Sequence, residues 1–159
     1  MSTQTRERGA VRERPLLNSN FLVDFGQGDP RHPSQGFAEV EFPPFRIHPA
    51  GDDARLQSGS GATMPGSSEQ EQRLILRRGV CGQLDLYAWW HKARRGKAPS
   101  RRSLKIHLLA EDQKTIVLTW HFHRVRPVCL SYSPLRAQEG TVLMETIELA
   151  YDSFEMFRP

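Results

Sequence analysis

The sequence of 159 residues has no long hydrophobic run, since no stretch of about 18 consecutive apolar residues occurs in it. A membrane-spanning helix is therefore excluded, and we expect no membrane insertion. The first residues, MSTQTRERGAVRERP, lack the apolar centre of a secretory signal. Only two cysteines are present, Cys81 and Cys129, too few and too far apart for a disulfide framework or a zinc site. These absences predict a protein with reduced thiols that folds in the cytoplasm.

Recognisable catalytic motifs are absent as well. No nucleophile elbow, dinucleotide-binding glycine pattern or phosphate-binding loop occurs, and Gly59-Ser60-Gly61 lies in a low-complexity stretch. The paired acids Asp52-Asp53 and Glu111-Asp112 have the character of turn residues. Cys81 precedes a predicted helix, whose dipole can lower a thiol pKa, but we expect a small buried thiol there. We therefore predict no enzymatic function, no catalytic residue and no cofactor.

Acidic residues are scarce between Gln72 and His107, where Asp85 is the one acid. The net charge of the whole chain is +4, and basic residues concentrate in this region: Arg73, Arg77, Arg78, Lys92, Arg94, Arg95, Lys97, Arg101, Arg102 and Lys105. Such a concentration of positive charge can attract phosphates or an acidic neighbouring surface. It can equally be a solvated helix end and loop, and the sequence leaves both interpretations open.

The region from Arg73 to Tyr132 carries the clearest helix signal. A helix at about 84–95 is predicted because Asp85 lies in its first turn and basic residues lie in its last turn, before Gly96. Its apolar stripe has Leu84, Tyr87, Ala88 and His91 at i, i+3, i+4 and i+7, and Leu86, Trp89 and Trp90 widen this stripe. A stripe this broad is expected to be buried on a sheet or at a subunit contact.

Period-two alternation predicts strands on both sides of this helix. The signal is strongest at 115–126, and residues 104–109 alternate in the same way. The turn at 111–114 between these two segments predicts an antiparallel hairpin. Further strand candidates are 21–25, 36–42, 74–76 and 141–157, and residues 128–132 are predicted to continue the strand at 115–126 beyond Pro127 as a bent or bulged extension. With about seven strands, the predicted fold class is mainly β: a small antiparallel β-barrel or sandwich with one flanking α-helix.

Composition divides the chain into three kinds of segment. Residues 1–14 alternate in charge and have almost no apolar content, which predicts a flexible N-terminal arm. Residues 49–72 are dominated by Gly, Ser, Asp, Gln and Pro, and core-quality sequence stands on both sides of them. They are therefore predicted to form a long flexible Gly/Ser-rich loop inside one domain at 15–159.

Two histidines, His121 and His123, share one face of the predicted strand at 115–126, which is a recognised metal-ligand arrangement. A third ligand would have to come from elsewhere, and His107 on the hairpin partner is the candidate. The same pattern fits a polar face opposite Trp120 and Phe122, and we predict no metal site. A basic β-barrel that binds nucleic acid is a further alternative, although the aromatic residues lie on the presumed core face.

Four passages of the sequence, in collinear order over roughly residues 18–157, resemble the tail tube proteins of contractile phage tails and related injection systems. They are Asn20–Val23 with Gly36–Val40, Leu76–Gly79 with Leu84–Trp90, Thr119–Phe122 with Val125–Val128, and Met144–Tyr151. The type VI secretion tube protein shares the fold of that family. Their common order makes the resemblance fairly specific.

The resemblance implies a tail-tube-like β-barrel that assembles into stacked hexameric rings, forming a hollow tube inside a contractile sheath. The implied function is structural: a conduit for cargo or phage DNA in a phage tail or injection particle, with sheath and baseplate or spike proteins as partners. In the family a charged, extended hairpin follows the position of Ile47, whereas this chain has a Gly/Ser-rich stretch there. A specialised tube-initiator or baseplate ring of the same machine is therefore the alternative.

The implied assembly would place basic and aromatic residues of the central region in contacts between subunits, between rings or with the sheath. The basic side chains are expected to meet acids such as Glu145 and Glu148, and a tryptophan is expected to cover the outside of the barrel. The candidate contact residues are Arg77, Arg78, Trp89, Trp90, Arg94, Arg95, Lys97, Arg101, Arg102, Glu145 and Glu148.

Overall fold

The computed structural model of the chain describes residues 15–31, 36–47, 72–96 and 101–159. The predicted arm at 1–14 and the predicted loop at 49–72, apart from Gln72, lie outside these residues, so the division into arm, domain and loop stays a prediction. The described residues form seven strands and one helix: β1 (Phe21–Asp24), β2 (Glu39–Glu41), β3 (Leu74–Gly79), α1 (Asp85–Arg94), β4 (Arg102–Leu109), β5 (Ile116–Tyr132), β6 (Met144–Ala150) and β7 (Ser153–Phe157).

The predicted fold class, mainly β and antiparallel with one helix, is confirmed. The strands form one sheet in the order β1-β4-β5-β6-β3-β2, with β7 also paired to β5, and every pairing is antiparallel. The sheet does not close, because β1 and β2 at its two ends are not paired with each other. The predicted barrel or sandwich is therefore an approximate description of an open sheet folded on itself.

A long bent ribbon of β5 with β6 and β7 connects the two halves of the sheet. Residues 119–123 of β5 pair with β7, and residues 126–132 pair with β6. The other side of β5 pairs with β4 only as far as Val125, while β3 pairs with the far side of β6. The first half is thus β1-β4-β5-β7, the second half is β5-β6-β3-β2, and β5 belongs to both.

Two local irregularities bend β5 where it passes from one half to the other. Arg124 has a φ of 54°, and the register with β6 shifts between Pro127 and Cys129. A residue of left-handed conformation and a bulge both turn a strand out of its plane, and proline cannot donate to the ladder. The predicted bent or bulged extension at 128–132 is confirmed as the continuation of β5, whereas the predicted strand at 141–157 is divided into β6 and β7.

The core lies between the two halves and follows the predicted alternation. Leu104, Ile106 and Phe122 come from the first half, and Leu76 and Ile147 from the second; all are at most 2% exposed. Burial of each such side chain contributes about 1.5–3 kcal/mol to the stability of the fold. A one-residue shift in register would turn these side chains to the other face, so burial fixes the register of the strands in both halves.

Helix α1 begins at Asp85 and ends at Arg94, close to the predicted bounds, and Gly96 follows it with a φ of 65°. The predicted apolar stripe is buried only in part: Leu86 and Trp89, which were predicted to widen it, are buried, whereas Leu84 and Tyr87 are exposed. Cys81, expected to be a buried thiol, is also exposed. No helix in the described part of the chain has the length and apolar character needed to cross a membrane.

Candidate assembly interface

A buried ion cluster joins β3, β6 and the start of α1. Arg78 of β3 lies opposite Glu145 of β6 in the register, and its Nε donates to Glu145 Oε1 at 2.5 Å. The other edge of the guanidinium meets Asp85, with 2.5 Å between Nη2 and Oδ1. Arg78 and Glu145 are each 3% exposed, and the guanidinium lies over the Phe37 ring at 5.5 Å. Both charges are therefore inside the subunit.

Electrostatics in this cluster favour the charged forms. Burial alone would raise the pKa of Asp85, but its hydrogen bonds with Arg78 and the Arg78 charge outweigh burial, and the pKa is lowered. Burial likewise opposes the charge of Arg78, yet the two carboxylates raise its pKa. The cluster anchors the N-terminal end of α1 to the sheet, where a carboxylate also complements the helix dipole.

Exposed apolar side chains surround this anchor and form what we call the end patch: Val80, Leu84, Tyr87, Tyr132 and Val142. They lie at the end of the second half where β3 and β5 end and where α1 and β6 begin. Val80 donates its backbone N–H to Leu143, next to Val142, at 2.8 Å. The pKa of Tyr132 is raised by partial burial and by the nearby Glu145 carboxylate. A cluster of exposed apolar residues of this kind is typical of an interaction surface.

Charged pairs cover the outer face of the second half. Arg77 meets Glu39 and Glu41 of β2 at 2.6 and 3.0 Å, and Arg73 meets Glu148 of β6 at 2.9 Å. Arg77 and Arg78 are neighbours in β3, but their side chains lie on opposite faces of the sheet. Of the candidate contact residues on these strands, Arg77 and Glu148 are thus at the surface, whereas Arg78 and Glu145 are not.

The tryptophans and basic residues near α1 also have different environments. Trp89 is 1% exposed, packs edge-on to Phe25 at 5.5 Å and carries the Arg102 guanidinium on its face at 4.6 Å. Burial lowers the pKa of Arg102, and the nearby Asp85 carboxylate, which acts to raise it, does not outweigh burial. Trp90 is partly exposed, with Arg94 over its ring at 5.3 Å. Arg95 is exposed, and Lys97 lies outside the described residues.

A basic cluster at the bend of β5 was missed in the sequence. Arg101, Arg124 and Arg126 all meet Asp152, at 3.7, 2.8 and 3.3 Å. Of these, only Arg101 was a candidate contact residue. The signal that could have found the others is Pro127, which marks the bend of β5, and Asp152 lies beside this bend with its backbone N–H donating to His123 at 3.1 Å.

The gap between β1 and β2 is an apolar cleft. Its volume is about 390 Å³, and its walls include Leu16, Phe21, Val40, Phe42 and Trp120. Val40 and Phe21 belong to the two strands that would have to pair to close a barrel. The open side of the sheet therefore exposes apolar surface as well as two strand edges.

The predicted pair of histidines lies on the outer face of the first half, together with Glu155 of β7. Glu155 Oε1 is 3.4 Å from His121 Nδ1 and 3.3 Å from His123 Nε2. The pKa of His121 is lowered by burial, then by the nearby His123 and Lys105. His107, which the sequence offered as the third ligand, is not in this group; its Nδ1 lies 2.8 Å from the Thr119 hydroxyl.

Similar folds occur among the solved structures. A chain in the cryo-EM structure of the anti-feeding prophage cap (AFP tube terminating cap) has a TM-score of 0.66 at 17% identity, covering 99% of this chain and 100% of that chain. A chain in the PVC sheath/tube terminator of an extracellular contractile injection system has a TM-score of 0.67 at 21% identity, covering 92% and 99%. A chain in the PVC sheath-tube complex has a TM-score of 0.61 at 21% identity, covering 93% and 95%.

The fold of this chain is therefore similar to that of chains in contractile injection systems. The chain belongs to the family of the T4-like virus tail tube protein gp19, whose profile matches residues 17–155. A search of curated protein sequences found no significant match. Members of this family are structural components of tail tubes, and the resemblance inferred from the sequence is confirmed.

Proposed function

We propose that the chain is a subunit of the inner tube of a contractile tail or injection system, forming hexameric rings that stack into a hollow conduit. The observation that carries this proposal is the open sheet in a chain of the tail tube family. Among the described residues, β1, β2 and β7 each pair on one side only, and residues 129–132 of β5 pair only with β6. Unpaired strand edges are templates for pairing with another chain.

Pairing of these edges between neighbouring subunits would extend the sheet around a ring. Such a contact joins two different surfaces of the same protein, so it closes into a ring when the rotation per subunit fits. The backbone groups at each edge then find partners, and the cleft between β1 and β2 is the apolar surface that a neighbour would cover. A closed ring would therefore pair the open strand edges and cover the apolar cleft of the isolated subunit.

The end patch is proposed as a contact between stacked rings. It lies at one end of the second half, and burial of its exposed apolar side chains against the next ring would stabilise the stack. The surface residues Arg77, Trp90, Arg94, Arg95, Arg101 and Glu148 are the proposed polar rim or sheath contacts. The sheath and the baseplate are the proposed partners, the lumen would carry cargo or DNA, and assembly would begin in the cytoplasm.

The test is electron microscopy and mass measurement of the purified protein. Wild type is expected to form hexameric rings or tubes. Leu84, which is 70% exposed, allows a matched pair of variants: Leu84→Met keeps the apolar contact, whereas Leu84→Glu places a charge in it. Tubes are expected from the Met variant and lost in the Glu variant. A wild-type protein that stays monomeric at high concentration contradicts the tube function, and tubes from Leu84→Glu contradict the role of the end patch alone.

A ring at one end of the tube is the second candidate. Chains of similar fold occur in a tube-terminating cap and in a sheath/tube terminator, and the family's charged hairpin after Ile47 is replaced here by a Gly/Ser-rich stretch. An initiator or terminator ring would form hexamers but would not stack alone. Single rings at every concentration, which elongate only after a second tube protein is added, are the result that favours it.

A further inference from the structure

We infer that His121, His123 and Glu155 form a binding site for a divalent transition-metal ion, for which Zn²⁺ is the probe. The three residues come from two paired strands on the outer face of the first half of the sheet. Nothing in a structural tube function requires this arrangement, and the inference is independent of the function proposed above.

The strand pairing brings the three side chains together. Residues two apart in a strand share a face, so His121 and His123 stand side by side on β5, with 4.0 Å between their ring centroids. Glu155 of β7 is the register partner of His121. Paired residues lie within about 5.5 Å of each other at the backbone, which places the carboxylate between the two imidazoles.

The distances fit one ion. In a tetrahedral zinc site with bonds of about 2.1 Å, neighbouring ligand atoms are about 3.4 Å apart. Glu155 Oε1 is 3.4 Å from His121 Nδ1 and 3.3 Å from His123 Nε2, and all three ligand atoms lie within 4.8 Å of one another. The ligand atoms therefore need only small side-chain movements to meet a single ion.

A neighbouring side chain orients one of the ligands. The hydroxyl of Ser103 lies 2.6 Å from His121 Nε2, on the opposite side of the ring from the atom that faces Glu155. If Nε2–H donates to this hydroxyl, the lone pair of Nδ1 points towards the ion. Metal-ligating histidines commonly use their second nitrogen in this way, which fixes the tautomer and the ring orientation.

The donor set defines which ions would bind. Two imidazole nitrogens and one carboxylate oxygen suit Zn²⁺ and its neighbours in the first transition row, whereas Mg²⁺ and Ca²⁺ prefer oxygen ligands. Three protein ligands leave a coordination position open to water or another donor. The ion would also tie β7, an outer strand of the first half, to β5.

The experiment is isothermal titration calorimetry of the full chain without a polyhistidine tag, at neutral pH. One Zn²⁺ is expected to bind per subunit, and Mg²⁺ and Ca²⁺ are expected to give no heat. At a zinc concentration a hundredfold above the Kd, the Tm is expected to rise by about 5 °C. Failure of wild type to bind Zn²⁺ overturns the site and leaves the tube function untouched.

Variants separate this site from zinc binding elsewhere. His121→Ala, His123→Ala and Glu155→Gln are each expected to weaken zinc binding at least tenfold, and Ser103→Ala about tenfold. His107→Ala is the matched control, because this histidine lies on the same face but contacts Thr119, and its zinc affinity is expected to equal that of wild type. Thermal melts without metal check that each variant is folded. An unchanged affinity in Glu155→Gln, an exposed substitution, contradicts the inference, as does a large loss in His107→Ala.

Discussion

Adjacent residues in this chain have opposite roles because a strand and a helix each turn neighbours in different directions. Arg77 lies at the surface with two glutamates, whereas Arg78 is buried between Glu145 and Asp85. The same holds at the tryptophan pair of α1. The two members of each pair have the same residue type, so residue type does not tell which one is buried. Their position relative to the core decides it.

Replacement of the two arginines is expected to give very different costs. Arg78→Met leaves the Glu145 carboxylate buried without its partner, which is expected to lower the free energy of unfolding by about 3–5 kcal/mol. Arg77→Met removes only partly exposed ion pairs, for an expected loss of about 0–1 kcal/mol. Urea unfolding of both variants measures the difference. Equal losses in the two variants would show that the Arg78 cluster is not the anchor described above.

Asp112 is expected to titrate far below an ordinary carboxyl group. The Thr115 hydroxyl and then the backbone N–H groups of Thr115 and Lys114 lower its pKa from 3.8 to about 2. Because the folded value is the lower one, the stabilisation is present above about pH 3.8 and is lost as the pH falls through about 2. Carboxyl carbon shifts in NMR measure the pKa, and Thr115→Val is expected to raise it part of the way towards 3.8. An unchanged value in that variant contradicts the role of the hydroxyl.

At the scale of elements, β5 and α1 determine how the halves of the sheet are joined and covered. The bend in β5 combines Arg124 in a left-handed conformation with a bulge after Pro127. Helix α1 packs against the first half of the sheet through Trp89, which contacts Phe25 and Arg102. Each element therefore depends on one or two side chains whose effect can be measured separately.

The bend of β5 is expected to be strained at Arg124. A φ of 54° brings the Cβ atom close to the following carbonyl, which glycine avoids. Arg124→Gly and Arg124→Ala both lose the ion pair with Asp152, so their difference isolates the backbone. The glycine variant is expected to be more stable than the alanine variant by about 0.5–1 kcal/mol, measured by denaturant unfolding. An alanine variant of equal or greater stability contradicts the left-handed conformation.

The two tryptophans of α1 are expected to separate folding from assembly. Trp89→Ala removes a side chain that is 1% exposed, at an expected cost of about 3–5 kcal/mol in the unfolding free energy of the subunit. Trp90→Ala loses chiefly the exposed contact with Arg94, at an expected cost of about 1 kcal/mol. Thermal unfolding gives both values. Tube assembly that survives Trp90→Ala unchanged removes Trp90 from the proposed contacts.

At the scale of the whole molecule, the sequence predicted where the helix and the main strands lie, because these depend on local pattern. It missed features that depend on how the helix and strands pack against one another. Alternation located β5 and β6, and charge at both ends located α1, because these signals arise within one segment. The buried face of α1 was predicted only in part, with Leu86 and Trp89 buried but Leu84 and Tyr87 exposed, since the sheet and Arg102 decide which side of the helix is covered. Glu155 was missed beside His121 because the register between β5 and β7 cannot be read from either strand alone.

Assembly is expected to change hydrogen exchange at the open edges. In an isolated subunit the outer amides of β7 and of residues 129–132 have no strand partner among the described residues, so they exchange quickly. Pairing across subunits in a ring would protect them, while the central strand β4 would change little. Exchange measured by mass spectrometry on rings and on dissociated subunits tests this. Equal edge exchange in both states contradicts the proposed strand pairing.

The ribbon of β5 with β6 and β7 also has a mechanical consequence. Its pairs extend from Thr119 opposite Phe157 to Tyr132 opposite Glu145, through the bend and across both halves of the sheet. A force applied along these strands loads their hydrogen bonds together, in shear, whereas a force across an end would break them one after another. Resistance to rapid pulling depends on the unfolding rate rather than on equilibrium stability. Because the two halves share one strand, a load on one half would pass through β5 to the other.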